Sequence, residues 1–320
     1  MLKRFLLVVA ILVMAFSLVG TAFASDGDPG ESDVSTEESG GMGGVVLPHG
    51  KQPLVSPFAV TNLSYHGGPV MHTNKVYAIY WKPAGYTFAS GYANHINQFF
   101  KDVAAASGQT SNVYYSSTQY YDNVNGYIRY KSVFGGYYVD TNPFPASGCA
   151  LYGGLSACLK DSQLRTEIKR VINLKGWVPK SNTMFFIFTP DNVGSCFGSS
   201  CAFTDFCAYH SYENKIIYAN QPYTYTKPNA CGIQYATSSP PNGFAADSTI
   251  NVVSHEHNEA ITDPKLSAWW DSTTGYENGD KCAWIFGKVT SGHNQKIHGH
   301  FYILQKEWSN LSKGCVLQGY

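Results

Sequence analysis

The stretch Ser254–Pro264 reads SHEHNEAITDP, and it decides how the rest of the sequence is interpreted. Apolar Ile250, Val253, Ala260 and Ile261 recur through and around it at helical spacing, which predicts a helix over residues 248–262. The helix ends at Asp263, because a proline disfavours the helical conformation of the residue before it. His255 and Glu259 are four residues apart, so their side chains lie on one helix face, about 6 Å apart along the axis.

A histidine and a carboxylate on one helix face are typical metal ligands. In zincin metallopeptidases the motif His-Glu-x-x-His holds zinc through both histidines, and the intervening glutamate is the general base. Here Glu259 stands at the second histidine position, so we predict His255 and Glu259 as ligands and Glu256 as the base. A third ligand must come from elsewhere, and the sequence offers Glu277 or Asp280 shortly downstream.

Two other interpretations of these residues stay open. One is a Ca²⁺ site, because calcium prefers hard oxygen ligands, here Glu259, Asp263, Glu277 and Asp280. The other is a solvated face or helix cap with salt links and no metal.

Further residues near the motif are candidates for a supporting role. His257 projects away from the His255 face, which indicates a supporting or surface group. Residues that would support the ligands or contact a substrate are Asp263, Trp269, Tyr276 and His300.

The first residues predict export. Lys3 and Arg4 precede the apolar run 5–19, and Ala22-Phe23-Ala24 has the small residues of a cleavage site. We therefore expect a signal peptide over residues 1–24 and a secreted, extracellular protein, with an uncleaved anchor as the alternative. No later stretch is long and apolar enough to cross a bilayer, so we expect no membrane partner after cleavage.

The chain then divides into a linker and one domain. Residues 25–44 are acidic and Gly/Ser-rich, which predicts a disordered linker or short pro-segment, and residues 45–60 are predicted as an extended lead-in. Residues 61–320 are predicted to form a single globular domain around one core. The formal net charge of the chain is zero, so charge gives no basis for binding nucleic acid.

The eight cysteines of an exported chain predict disulfides. Proximity in sequence pairs Cys149 with Cys158, Cys196 with Cys201, Cys207 with Cys231, and Cys282 with Cys315. A zinc site formed by Cys196, Cys201 and Cys207 is the alternative.

Periodicity predicts strands and helices in mixed order. Strands are expected at 75–81, at 183–189 as a buried central strand, at 215–219 as an edge strand and at 299–305, with strands and hairpins over 111–140. Helices are expected at 90–106 and 161–175. The fold class is therefore α/β (α+β): a single domain with a mixed central sheet, flanking helices, a zincin-like active-site helix and disulfides.

Several motifs together resemble one known family. They are Ser64-Tyr65-His66-Gly67-Gly68-Pro69, the Cys-rich loop, His255-Glu256-x-x-Glu259, Ala268-Trp269-Trp270 and Glu277-x-Gly279-Asp280-x-Cys282. This ordered set is similar to that of the EXORDIUM / phosphate-induced protein 1 family of plant extracellular growth-related proteins, with relatives in bacteria. The resemblance covers residues 61–316. It implies secretion, a wall-facing setting and a single domain, and it implies no settled catalytic activity.

Two functions follow from the sequence, and it does not decide between an enzyme and a binding protein. The first is a secreted zinc-dependent, peptidase-like hydrolase acting on a peptide or a cell-wall-associated substrate. The second is a non-catalytic extracellular protein with a structural metal site, which binds glycan or protein through a Tyr/Trp-rich surface that includes Trp269 and Trp270.

Overall fold

A six-stranded sheet positions the elements discussed below. The computed structural model describes residues 38–51 and 61–320. The strands are β1 Gly43–Val46, β2 Ser64–Tyr65, β3 Asn74–Trp81, β4 Tyr121–Asp122, β5 Gly126–Tyr127, β6 Ser132–Asp140, β7 Ala157–Lys160, β8 Thr183–Phe188, β9 Val193–Phe197, β10 Ser200–Cys201, β11 Ala208–Glu213, β12 Ile216–Gln221, β13 Trp269–Trp270, β14 Gln295–Ile297, β15 His300–Tyr302, β16 Glu307–Ser309 and β17 Gly314–Val316. The α-helices are α1 Tyr92–Ala105, α2 Asp161–Lys175, α3 Pro228–Cys231 and α4 Phe244–Thr262, and the 3₁₀ helices are Val113–Gln119, Thr224–Thr226 and Asp280–Cys282.

The sheet is mixed, as the sequence predicts. Its strand order is β1-β11-β12-β8-β3-β6. The pairs β12–β8, β8–β3 and β3–β6 are parallel, whereas β11 runs antiparallel to β12 and β1 runs antiparallel to β11. The antiparallel strands β11 and β1 therefore form one side of the sheet, and β1 is its last strand there.

Helices cover both faces of the sheet. Along β3, Val76, Ala78 and Tyr80 belong to the core cluster that contains residues of α1 and α4. The alternate residues Tyr77, Ile79 and Trp81 belong to a second cluster with residues of α2. This alternation is what a strand with two buried faces requires, and it confirms the predicted α/β class with flanking helices.

Three details of the predicted elements are wrong. The strand expected at the sheet edge, 215–219, is the inner strand β12, because β11 and β1 add beyond it. Residues 113–119 form a 3₁₀ helix rather than a strand, and the Asn112 side chain accepts a hydrogen bond from the backbone N–H of Tyr114 at its start. The strand expected at 299–305 is the short β15, which pairs only with β14 in a separate hairpin.

The predicted lead-in contributes a strand to the sheet. Residues 43–46, which the sequence places across the linker and the lead-in, form β1, and Val46 is fully buried. The folded unit therefore includes residues 38–51 and begins earlier than residue 61. The predicted signal peptide and the remainder of the linker and lead-in, residues 25–37 and 52–60, lie outside the described residues.

All four predicted disulfides are confirmed: Cys149–Cys158, Cys196–Cys201, Cys207–Cys231 and Cys282–Cys315. They take up all eight cysteines, so the alternative of a zinc site formed by Cys196, Cys201 and Cys207 is wrong. Within the described residues, no helix combines the length and the apolarity that a membrane crossing needs.

Helix α4 is buried on every side, although most of its residues are polar. Every residue from Ala246 to Thr262 is buried. Polar groups in such a position need partners, and His257 finds them on the sheet side: its Nδ1 lies 3.1 Å from the Tyr114 hydroxyl and its Nε2 lies 3.0 Å from Asn74 Oδ1. His257 therefore docks α4 onto the fold and is not the surface group that the sequence allowed.

The His257 contacts predict a loss of stability on substitution. His257→Leu removes one hydrogen-bond partner from the Tyr114 hydroxyl and one from Asn74 Oδ1 in the interior, so we expect the free energy of unfolding to fall by about 2–4 kcal/mol. Urea denaturation at neutral pH measures this loss. The control His95→Leu, on a half-buried position of α1, should change stability by less than about 0.5 kcal/mol.

Burial lowers the pKa of His257 to about 3. The unfolded chain takes up a proton at this residue below its ordinary pKa of about 6.5, whereas the folded chain does not, so stability falls as the pH falls below about 6.5. The wild type should lose stability relative to His257→Leu by about 1.4 kcal/mol per pH unit in that range. Equal pH dependence of the two proteins would contradict this assignment.

Candidate metal centre

Three parts of the fold bring ionisable side chains together beside α4. The helix supplies a turn of ligand-type residues and ends at Asp263, β11 supplies a histidine, and the loop after β13 supplies two carboxylates. Six of the residues are buried and the seventh, Asp280, has a side chain that is 10% exposed. We call this set the acid centre: His210, His255, Glu256, Glu259, Asp263, Glu277 and Asp280.

On one side of the acid centre, His255 faces two carboxylates. Its Nε2 lies 3.1 Å from Glu259 Oε1 and 3.5 Å from Asp280 Oδ1, yet this nitrogen has no hydrogen-bond partner in the described chain, because its N–H direction points at neither oxygen. The backbone N–H of Asp280 donates to Glu259 Oε1 at 2.8 Å, which ties the loop to the helix.

Gln305 holds the other nitrogen of the His255 ring. Its Nε2 donates to His255 Nδ1 at 2.8 Å and to the carbonyl oxygen of Gly279 at 3.0 Å. With this assignment of the amide, the proton of the neutral ring is on Nε2. A cation bound at Nε2 would therefore have to displace that proton.

On the other side, His210 lies between the helix end and two glutamates. Its Nε2 donates to the backbone carbonyl of Asp263 at 3.2 Å, which leaves Nδ1 as the unprotonated nitrogen. Nδ1 lies 3.3 Å from Glu256 Oε2 and 3.9 Å from Glu259 Oε2. Burial lowers the pKa of His210 to about 4, so this imidazole is neutral at physiological pH.

The acid centre holds more carboxylates than cationic groups. Five acidic side chains meet two imidazoles, and in the described chain their ion-pair contacts are to those imidazoles rather than to lysine or arginine. Burial raises the pKa of Glu256 and Glu277 well above the ordinary value, and the pKa of Glu259 and Asp263 to about 7. Burial lowers the pKa of His255, but Glu259 and Asp280 raise it by more, so its net pKa lies well above that of a free imidazole.

Several polar atoms of the centre are buried without a hydrogen-bond partner in the described chain. Each such atom costs about 1–3 kcal/mol unless it is protonated, hydrogen-bonded or bound to a cation. The atoms are His255 Nε2, Glu256 Oε1, Glu259 Oε2, Asp263 Oδ2 and Glu277 Oε2.

The spacing on the His255 side fits the ligands of one cation. Metal–ligand distances of about 2.0–2.2 Å in a tetrahedral site place two ligand atoms about 3.4 Å apart. The separations of His255 Nε2 from Glu259 Oε1 and from Asp280 Oδ1, 3.1 and 3.5 Å, bracket that value. Donor atoms of His210, Glu259 and Glu277 also lie within 4.8 Å of one another.

A cavity of 360 Å³ reaches the centre from the surface. Asp263, Glu277 and Asp280 form part of its wall, and Trp270 and Tyr276 lie on the same wall. The residues of β1 and its flanks, 42–45 and 47, also line it. This volume lies in the range of pockets that hold small ligands.

Two glycines allow the backbone to approach the centre. A Cβ atom on Gly44, which has φ of +50°, would lie 2.1 Å from Glu259 Oε2 and 2.2 Å from His210 Nδ1. A Cβ atom on Gly279 would lie 2.9 Å from Glu259 Oε1 and from the His255 ring. The backbone N–H of Gly44 donates to Glu277 Oε1 at 3.1 Å. Side chains at either position would therefore intrude on the ligand-type atoms.

Comparison with known proteins agrees with the motif set. The chain is 22% identical over 265 residues to Protein EXORDIUM-like 5 of Arabidopsis thaliana, and the match covers 73% of this chain and 67% of that protein. The chain is therefore similar, at a distance, to an EXORDIUM-like protein. No family model and no solved structure matches it. The EXORDIUM resemblance that the motifs predict is confirmed, whereas the zinc role of the helix motif stays a prediction.

The structure brings most of the sequence candidates together and separates two of them. Glu277 and Asp280 both reach the centre, Glu277 near His210 and Asp280 near His255. Trp269 is buried in an aromatic cluster with Tyr65, Tyr120 and Tyr121, away from the cavity wall.

The structure places His300 outside the acid centre. His300 lies on the hairpin formed by β14 and β15, with its side chain 55% exposed. Its Nδ1 lies 2.8 Å from Asp102 Oδ2 of α1. The hairpin, rather than a long strand, ends near residue 302, and the chain then turns to place Gln305 against His255.

Sequence reasoning missed His210 and Gln305. His210 is 45 residues before His255 and belongs to a strand that no spacing rule connects to the helix motif. Only the antiparallel addition of β11 next to β12 carries it to the end of α4. Gln305 belongs to no recognisable sequence motif, so its contact with His255 could not be predicted.

The Gly44 contacts predict that an alanine is not tolerated. Gly44→Ala forces the new methyl group against Glu259 and His210, at a backbone conformation that alanine disfavours, so β1 must shift. We expect the free energy of unfolding to fall by about 2–4 kcal/mol, and we expect residues 38–51 to become sensitive to protease.

Gly41→Ala is the matched control on the same segment, since a Cβ atom there meets nothing within 4 Å. Limited proteolysis and thermal unfolding compare the two variants. Equal behaviour of Gly44→Ala and Gly41→Ala would contradict the close approach of Gly44 to the acid centre.

Proposed function

We propose that this protein is a secreted, divalent-cation-dependent hydrolase with a peptide as its substrate. The observation that supports this proposal is the acid centre: imidazole and carboxylate donors converge beside α4, several of them without a hydrogen-bond partner in the described chain, and Asp263, Glu277 and Asp280 among them line a cavity. Cation binding would satisfy these atoms and offset the buried negative charge.

The ligands of this cation would be His255 Nε2, Glu259 Oε1 and Asp280 Oδ1. A set that includes imidazole favours zinc or a related transition metal, because Ca²⁺ prefers six to eight oxygen ligands. Three protein ligands leave coordination positions for water or substrate, as in catalytic zinc sites. Such a cation supplies Lewis-acid chemistry and lowers the pKa of a bound water.

The carboxylate best placed to receive a proton from an attacking water is Asp263. Its Oδ1 accepts hydrogen bonds from the backbone N–H groups of Ser267 and Ala268, at 2.6 and 2.8 Å, which fixes the carboxylate. Its Oδ2 is left without a partner in the described chain, and the residue lines the cavity. Glu256, the base expected from the motif, contacts His210 Nδ1 at 3.3 Å, so we assign it to positioning His210.

The cavity wall supports a peptide as the substrate class. β1 is the last strand of the sheet, and the segment around it lines the cavity. The Gly44 N–H of β1 donates to Glu277 Oε1, so an extended peptide would bind in the cavity beside this segment rather than as a full additional strand. The carboxylates of Asp263, Glu277 and Asp280 would then lie beside the peptide backbone.

Export is part of the proposal. The predicted signal peptide and the four disulfides support it, because disulfides form and persist in oxidising compartments outside the cytosol. The distant relationship to the EXORDIUM proteins is consistent with an extracellular setting.

The cation claim predicts the metal content of variants. Purified protein, dialysed against zinc and then against buffer, should retain zinc by mass spectrometry of the metal. His255→Ala and Glu259→Gln should bind zinc at least 10-fold more weakly, since each removes a ligand. His300→Ala is the control, an exposed imidazole outside the centre, and should bind as the wild type does. A wild type that retains no zinc and unfolds identically in chelator would contradict the proposal.

The base assignment predicts different effects of two carboxylate variants. On a fluorescence-quenched peptide library, Asp263→Asn should reduce kcat by at least 100-fold at unchanged zinc content, because the proton acceptor is lost. Glu256→Gln should reduce kcat less, and should retain a wild-type pH profile. If Glu256→Gln abolishes hydrolysis while Asp263→Asn does not, the base is Glu256 as the motif predicts. Absence of hydrolysis by the zinc-loaded wild type would count against the enzyme itself.

A further inference from the structure

Glu259 lies between two histidines that come from different elements. Its Oε1 is 3.1 Å from His255 Nε2, and its Oε2 is 3.9 Å from His210 Nδ1. The two oxygens of one carboxylate therefore face opposite halves of the acid centre. Asp280 lies with His255 in one half, and Glu277 and Glu256 lie with His210 in the other.

We propose that the acid centre binds two divalent cations and that the Glu259 carboxylate bridges them. The first position is the one described above. The second is formed by His210, Glu259 and Glu277, which offer donor atoms within 4.8 Å of one another. Glu277 Oε1 lies 3.9 Å from His210 Nε2, so the Glu277 side chain must turn towards Nδ1 to share a cation with it. This inference rests on the proposed function, because it adds a second cation to the same centre.

The hydrogen bonds of His210 prepare it as a ligand. Metal-bound histidines usually donate their other ring N–H to a backbone carbonyl or a carboxylate, and His210 Nε2 donates in this way to the carbonyl of Asp263. Its Nδ1 lone pair consequently faces Glu256 Oε2 at 3.3 Å and Glu259 Oε2 at 3.9 Å. Three acceptors in the interior repel one another unless a proton or a cation lies among them.

Gly44 shapes the second position in two ways. Its backbone N–H donates to Glu277 Oε1, which orients the carboxylate and leaves Glu277 Oε2 without a partner in the described chain. Its lack of a side chain keeps free the space that a Cβ atom would fill at 2.1 Å from Glu259 Oε2 and 2.2 Å from His210 Nδ1. The glycine therefore leaves room between Glu259 of α4 and His210 of β11.

The donor spacing of the second position is wider than that of the first. The 3.9 Å between His210 Nδ1 and Glu259 Oε2 exceeds the tetrahedral spacing by about half an ångström, so the donors must close slightly on the cation. Small rotations of the two side chains supply this movement.

Charge favours two cations over one. The centre contains five acidic side chains, and Glu307 is buried with both oxygens unpartnered in the described chain. Two divalent cations would engage more of these oxygens than one and would match more of their negative charge.

The experiment counts cations. Full-length mature protein is saturated with Zn²⁺, passed through a desalting column and analysed for bound metal, and we expect two zinc ions per chain. His210→Ala and the isosteric Glu277→Gln should each retain one, as should His255→Ala, while His300→Ala should retain two. Near-UV circular dichroism verifies that each variant is folded before it is counted.

A second measurement locates the pair. With two equivalents of Mn²⁺, electron paramagnetic resonance should show the exchange-coupled spectrum of two ions joined by a carboxylate, and Glu259→Gln should abolish it. One zinc in the wild type would overturn this inference and leave the proposed function standing, whereas none would overturn both. Two ions that remain bound in both His210→Ala and Glu277→Gln, or an uncoupled manganese spectrum, would place the second cation elsewhere and also overturn the inference.

Discussion

The burial of four acidic side chains beside α4, with the nearly buried Asp280 as a fifth, is the constraint on which the rest of this structure depends. In the described chain, no lysine or arginine side chain pairs with these acidic groups. Their ion-pair contacts are to two imidazoles, and burial lowers the pKa of one of these, His210, to about 4. Charge of this kind in an interior must be protonated or matched by cations. The cavity that ends at Asp263, Glu277 and Asp280 connects three of these acidic side chains with the surface.

The fold holds this arrangement through elements that are distant in sequence. One face of α4 docks on the sheet through His257, and the adjacent face presents His255 and Glu259. β11 carries His210 to the helix end, and β1 adds Gly44 from outside. The disulfide Cys282–Cys315 anchors the loop that bears Asp280. The centre is therefore assembled by tertiary structure, and no single segment would form it alone.

Local sequence patterns predicted several features correctly. The helical spacing of His255 and Glu259 predicted the shared face of α4, the apolar run predicted β8, and proximity in sequence predicted the cysteine pairs. Long-range pairing was not predictable, since nothing in residues 43–46 shows that they extend the sheet beyond β11, and nothing around His210 shows that it faces Glu256. His300 differs from its predicted place for the same reason. The sequence predicts one long strand over residues 299–305, whereas the chain turns after β15, so that Gln305 rather than His300 contacts His255.

Anomalous X-ray diffraction from zinc-soaked crystals tests the central claim most directly. Data collected above and below the zinc absorption edge show where the metal binds, independently of activity. The account predicts an anomalous peak among His255 Nε2, Glu259 Oε1 and Asp280 Oδ1, at about 2.0–2.2 Å from each ligand atom. Fully occupied zinc at surface histidines, with no anomalous density at the acid centre, would contradict it.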